Sequence, residues 1–407
     1  MVVVRRYASR VGSWRWIATL AALNGIVALA IDMSLPAQPT LATTFRVSAE
    51  TAALNLSLFM VPFAIVQVFI GYLSDAIGRR PVMLGGLGVF TIAGLACALS
   101  PTIEVLLVCR AIQGAGAAAC PVVARAMIRD TQPPGQAARL LSTMLATLAI
   151  APMLAPTLGS ALMHAFNWRA IYSALATCGI ALLLYASSTL DETLPVARRT
   201  AASFRGLGRG FARFFRARGT KFPVIISSAS FAGLFAYVAG SPFVLVEGYG
   251  VPVEHYGFYF ALTAVAIMFG SITGGRMLHA GRSPGTMIVI GASIQVVAGG
   301  LVIAGTVTGM GLAGFLGPIM LYFVGSGITS PSSMALAMEP LPELAGTASS
   351  AVGSSAMISG AIAAYATTKM GASSPAVFAG FMAVMGAIVF VFAVLAAVLR
   401  QKQHESR

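Results

Sequence analysis

One feature leaves this chain little freedom in what it can fold into: runs of about 20 predominantly apolar residues recur along nearly its whole length. A helix needs about 20 such residues to cross ~30 Å of hydrocarbon. Within lipid a helix satisfies every backbone N–H and C=O inside its own segment, whereas barrel strands would show short alternating stretches. The runs lie near 17–38, 51–73, 81–99, 104–127, 140–162 and 169–188, and then near 222–246, 256–278, 284–306, 311–333, 346–369 and 375–399. Twelve spans are therefore expected, in an all-α integral membrane protein. Composition agrees, because 57% of the 407 residues are hydrophobic and only 9% charged, where soluble domains carry about a quarter charged residues.

A formal charge of +14 raises the question of a nucleic-acid partner. With the N-terminus cytoplasmic, 22 of the 26 basic residues fall on the cytoplasmic side. Arg46, Arg169 and Lys369 fall outside and Arg110 lies within a span. That is the positive-inside bias, so both termini are expected in the cytoplasm. The basic charge then serves orientation and contact with anionic headgroups, and no nucleic-acid partner is expected. Arg5, Arg6, Arg10 and Arg15 precede a first span too long for the apolar core of a cleavable signal. Cys97, Cys109, Cys120 and Cys178 all sit in spans without metal-type spacing and read as small apolar residues. No metal site and no catalytic constellation is recognisable.

The one long polar connection, 191–221, divides the chain into a six-span bundle at 1–190 and another at 222–407. The halves resemble each other. "GYLSDAIGRRP" at 71–81 contains Gly71, Gly78, Arg79 and Pro81, and "GGRMLHAGRSP" repeats these as Gly274, Gly281, Arg282 and Pro284 at an offset of 203 residues. Both stretches join the second span of a half to the third. Internal duplication of this kind is common in transporters.

"GYLSDAIGRRPVMLGG" resembles the signature loop of the major facilitator superfamily. "IDMSLPA", "RAIQGAGAAACPVVARAMIRD" and "APMLAPTLGSAL" resemble its drug:proton antiporter branch, and with "NWRAIY", "DETLP" and "GSPFVLVEGYG" they are similar to the Bcr/CflA group of bicyclomycin and chloramphenicol resistance. The resemblance implies the major facilitator fold, with twelve transmembrane helices in two pseudo-symmetric halves. It further implies a monomeric proton-coupled multidrug efflux antiporter of a bacterial inner membrane, rocking its halves by alternating access. Its partners would be a drug-like small molecule, protons and the bilayer, with the proton as coupling ion and no other cofactor. An exporter of an endogenous metabolite, a nutrient importer and a membrane sensor or scaffold are the alternatives. In the fifth span Ala155 and Ser160 depart from glycines that are frequent in antiporters.

Gly71 and Gly78 are expected to let backbones approach closely, and Pro81 suits the first turn of a helix. Asp75, Arg79 and Arg80 crowd the turn between them. The resemblance implies that Asp75 faces a helix N-terminus in the other half, and that Arg79 bonds an acid ending the fourth span, here Asp130, to clamp the cytoplasmic side shut. The other reading of Arg79 and Arg80 is enforcement of topology. Leu278 replaces the aspartate in the second half.

Arg110 lies about two turns inside the fourth span, with Gln113, Gly114 and Ala117 following on its face. A charge there costs at least ~2.5–3.5 kcal/mol on insertion scales and is a functional candidate, the other reading being snorkelling to the interface. In the implied picture it bonds the first span and tunes the acid there. That acid is Asp32, on one face with Asn24 and Ala28, and the only acidic residue well inside a span. It reads as the proton site or as a satisfied structural carboxylate. Asn24, Met33, Asn55, Phe59, Gln113, Met153, Phe231, Phe235, Tyr237, Tyr259 and Tyr322 are candidate linings of a substrate cavity. Pro152, Pro156 and Gly159, with Pro242 and Pro318, are expected to bend or closely pack their helices.

Overall fold

The computed structural model describes residues 13–133, 136, 140, 151, 154–199, 204–217, 219–339, 345–371 and 373–405, and among these no strand occurs. Ten helices of the described residues are long and apolar enough to cross a membrane, and they coincide with the first four, the sixth to tenth and the twelfth expected spans. The chain is thus a multi-pass membrane protein. The eleventh expected span is a continuous 27-residue helix, Ala345–Gly371, whose apolar residues are diluted by serine, threonine and glycine. Much of the fifth, including Pro152 and Met153, lies outside the described residues.

The chain forms two compact units, one of residues 1–46 and 58–203, the other of 47–57 and 204–407. Each has the same neighbour scheme. In the first, the third span packs against the fourth and sixth, and the first span against the sixth. In the second, the ninth packs against the tenth and twelfth, and the seventh against the twelfth. Lipid tails are as apolar as the side chains, so close contact must come from small residues. A Cβ at Gly116 of the fourth span would stand 2.6 Å from the backbone nitrogen of Phe90 in the third, and one at Gly325 of the tenth 2.7 Å from the carbonyl oxygen of Gly291 in the ninth. The duplicated turn also repeats in conformation. Gly78 and Gly281 have φ of 111° and 86°, a region that side chains with a Cβ avoid.

Among the described residues three spans are interrupted. The first span's helix, Trp14–Asp32, ends at the acid, passes through a turn and a 3-10 segment, Leu35–Ala37, and resumes as Gln38–Phe45. Pro36 cannot donate to the carbonyl four residues earlier, which is that of Asp32. The fourth span changes helix at Ala118, between Ile103–Ala117 and Ala119–Thr131. In the seventh, Lys221–Phe243, Pro242 removes the donor for Val238, whose carbonyl instead accepts from the Ser241 hydroxyl at 3.2 Å. A π-helical turn, Val244–Gly248, follows. The segment 191–221 is more than a polar linker, since it contains a helix, Phe204–Arg216.

Candidate functional site

Asp32 closes the helix of the first span, 6% exposed. No described residue hydrogen-bonds to its carboxylate or forms an ion pair with it. Close by in the chain, Ala30 accepts a hydrogen bond from Arg110 Nη2 at 3.1 Å, and Arg110 Nη1 donates to Gln113 Oε1 at 2.8 Å. The guanidinium is fully buried between aromatic faces, 4.4 Å from the Phe59 ring centroid and 5.7 Å from that of Tyr172. A buried cation is tolerable when hydrogen bonds and ring faces replace its water. Snorkelling is therefore not what this side chain does. Gly114, one turn on from Arg110, is pressed to the second span, where a Cβ would run into the Phe59 carbonyl. Gln113 Nε2 lies against Gly94 of the third span. The arginine thereby touches the first, second, fourth and sixth spans at once.

The loop between the second and third spans forms a second polar centre. Arg79 Nε lies 2.8 Å from Asp130 Oδ2, and Arg79 Nη1 lies 2.6 Å from Asp75 Oδ1. The same Nη1 donates to Ser74 Oγ at 2.7 Å, and that hydroxyl donates to the Gly71 carbonyl at 2.8 Å. Among the described residues a Cβ at Gly71 would meet nothing within 4 Å.

Arg80 is held too. Its Nε and Nη2 donate to the carbonyls of Leu190 and Ser187, at 2.8 and 2.7 Å, where the sixth span ends. In return Glu192 accepts from the backbone N–H groups of Arg79 and Arg80, at 2.9 and 3.2 Å, where the third span begins. Each helix end thus receives the charge its dipole and unpaired backbone groups favour. At Gly78, whose φ is 111°, a Cβ would also run into Glu192 Oε2 and displace that carboxylate. Glu192, Ser74 and Tyr172 were not among the candidates read from the sequence. The signal for Glu192 was its place in "DETLP", three residues past the end of the sixth span's helix at Thr189.

The candidate cavity residues fall in both units, and Met153 lies outside the described residues. Phe231 and Phe235 stack at 4.6 Å and lie against Gly360 of the eleventh span. Tyr237 faces Phe260 and Phe323 inside the second unit, at 6.4 and 5.5 Å. Tyr259 is half-buried beside the exposed Phe258, and the buried Tyr322 hydroxyl abuts Gly233. Asn55 is buried in the second unit, and Asn24 and Met33 in the first. Gly159 sits where a Cβ would run into the Met33 carbonyl and come within 3.0 Å of Pro36, and Pro156 is buried one turn earlier. Gly159 packs the fifth span onto the broken part of the first.

Residues 20–364 match the family model of the Major Facilitator Superfamily. The chain belongs to the major facilitator superfamily. It is 31% identical over 385 residues, 92% of its length and 93% of the relative's, to the uncharacterized MFS-type transporter YdgK of Bacillus subtilis. It is 29% identical over 92% of its length, and 94% of the relative's, to the bicyclomycin resistance protein homolog of Haemophilus influenzae. With the multidrug resistance protein MdtL of Escherichia coli it shares 32% over 79% of its length and 80% of that protein's. These relatives support the Bcr/CflA grouping. Solved structures show the fold: a D-xylose-proton symporter superposes with a TM-score of 0.77 at 16% identity, covering 94% of this chain and 97% of that one. A peptide transporter POT superposes at 0.76 and 13%, covering 96% and 95%.

Proposed function

We propose that this transporter exports drug-like small molecules from the cytoplasm in exchange for protons, by alternating access, as a monomer in a bacterial inner membrane with both termini cytoplasmic. The observation that carries the reading is Asp32, a buried carboxylate with no partner among the described residues, placed where its helix breaks. Broken helices in transporters lie at substrate and ion sites, and a buried charge left unpaired is costly. Binding a proton removes that cost, and so does binding a ligand that bonds the carboxylate. Because both satisfy the same oxygens, they exclude each other, which is the requirement for exchange. Arg110 holds the backbone next to the acid without neutralising it. The drug class follows from the names of the relatives, two of which are drug-resistance proteins.

The test is proton release. Substrate added to the purified protein in weak buffer, using a drug first identified by a susceptibility panel in cells lacking their own pumps, should acidify the solution. Asp32→Asn should release nothing. An Asn variant that still exports drug against its gradient, and stops when a protonophore is added, would place the proton elsewhere.

A further inference from the structure

The helix Phe204–Arg216, "FRGLGRGFARFFR", carries four arginines and four phenylalanines and no acidic residue. Its aromatic side is docked. Phe214 is fully buried with Val224, Ala337, Ala348, Ala351 and Val352, and Phe211 packs beside it. A Cβ at Gly210 would lie 3.3 Å from Thr347 Oγ1, and Thr220 Oγ1 donates to the carbonyls of Phe214 and Ala217 at 2.7 and 3.0 Å, closing the helix's end. These docking residues fix the helix's level. Val224 is in the first turn of the seventh span, Ala337 in the last turn of the tenth, and Ala348 and Ala351 in the opening turns of the eleventh. Three span ends meet there, so the helix lies where hydrocarbon gives way to headgroups. Away from the docked side, Arg209, Arg213 and Arg216 are exposed at spacings i, i+4 and i+7. Phe215 beside them is 36% exposed.

We infer that this face binds the phosphates of anionic lipids, with Arg209, Arg213 and Arg216 engaging headgroups while Phe215 sits at the acyl boundary. Basic side chains beside an aromatic one at this depth are the pattern of interfacial helices, and a soluble protein partner would have no need of that depth. The inference goes beyond export of drugs, and it rests on that reading only in placing the helix on the cytoplasmic leaflet.

The test uses the full chain in nanodiscs, which present both leaflets, and its readout involves neither drug nor proton. Failure of the transport reading would therefore leave it intact. Wild type should gain thermal stability when phosphatidylglycerol replaces part of the phosphatidylcholine, and should retain several-fold more phosphatidylglycerol in native mass spectrometry. The triple variant R209Q/R213Q/R216Q should lose both effects, while R209K/R213K/R216K keeps most of the retention. Equal retention by wild type and the glutamine variant would overturn the inference. So would a melting point lowered by the same substitutions equally in pure phosphatidylcholine, which would make the arginines structural. Stabilisation by inorganic phosphate in phosphatidylcholine discs, matching that by phosphatidylglycerol, would overturn the lipid in favour of a soluble anion.

Discussion

Arg110 donates a hydrogen bond to the carbonyl of Ala30, 3.1 Å away and two residues before the only acid of that helix. A lysine retains the charge but lacks the planar fork that reaches Ala30 and Gln113 together. Leaving one buried acceptor unsatisfied costs about 1–3 kcal/mol. Arg110→Lys is therefore expected to slow proton-driven uptake into inverted vesicles at least ~10-fold, the equivalent of ~1.4 kcal/mol on the barrier. Transport at the wild-type rate would show that the Ala30 contact is dispensable.

For pH, the expectation follows from competition at Asp32. Raising pH removes the proton, so the apparent affinity for drug should rise with pH in the wild type. In Asp32→Asn it should stay flat while binding remains measurable. Calorimetric titration at several pH values checks this, and parallel pH profiles for the two proteins would contradict it.

Gly78 and Gly281 occupy equivalent turns with positive φ, yet only Gly78 faces an obstacle, Glu192. Alanine at Gly281 should cost about 1–2 kcal/mol of left-handed strain. Gly78→Ala should cost more, because the carboxylate must also move. Melting temperatures of the two purified variants should show this order. The Glu192 dependence predicts that the cost of Gly78→Ala shrinks in a Glu192→Ala background, a non-additivity expected of residues in contact.

Glu192→Ala by itself removes the acceptor for two N–H groups at the start of the third span. Loss of such a cap costs about 0.5–2 kcal/mol. Glu192→Gln, which retains an acceptor oxygen, should fall between wild type and alanine in thermal unfolding. Equal melting points for wild type and alanine would show that water caps the helix as well as the carboxylate does.

The sequence by itself determined the spanning helices, the repeated turn and the positions of the buried charges. Each of these is set by the cost of moving a group from water into hydrocarbon, and that cost is paid residue by residue along the chain. The run 17–38 reads as one continuous span, and its break at Asp32, four residues before Pro36, was seen only in the structure. What only the tertiary structure decided is which groups meet. In lipid a helix is apolar on every face, so the pattern does not tell a packed aromatic from a lipid-facing one, and rotation about the helix axis stays unspecified. For that reason only the structure gives the neighbours of Phe231, Tyr237, Tyr259 and Tyr322, each a candidate cavity lining in the sequence. The choice of Ala30 for Arg110, and the exchange by which Glu192 caps the third span and Arg80 the sixth, depend on residues 80 to 113 apart in sequence. No local spacing encodes such pairs, because they exist only once the helices have packed.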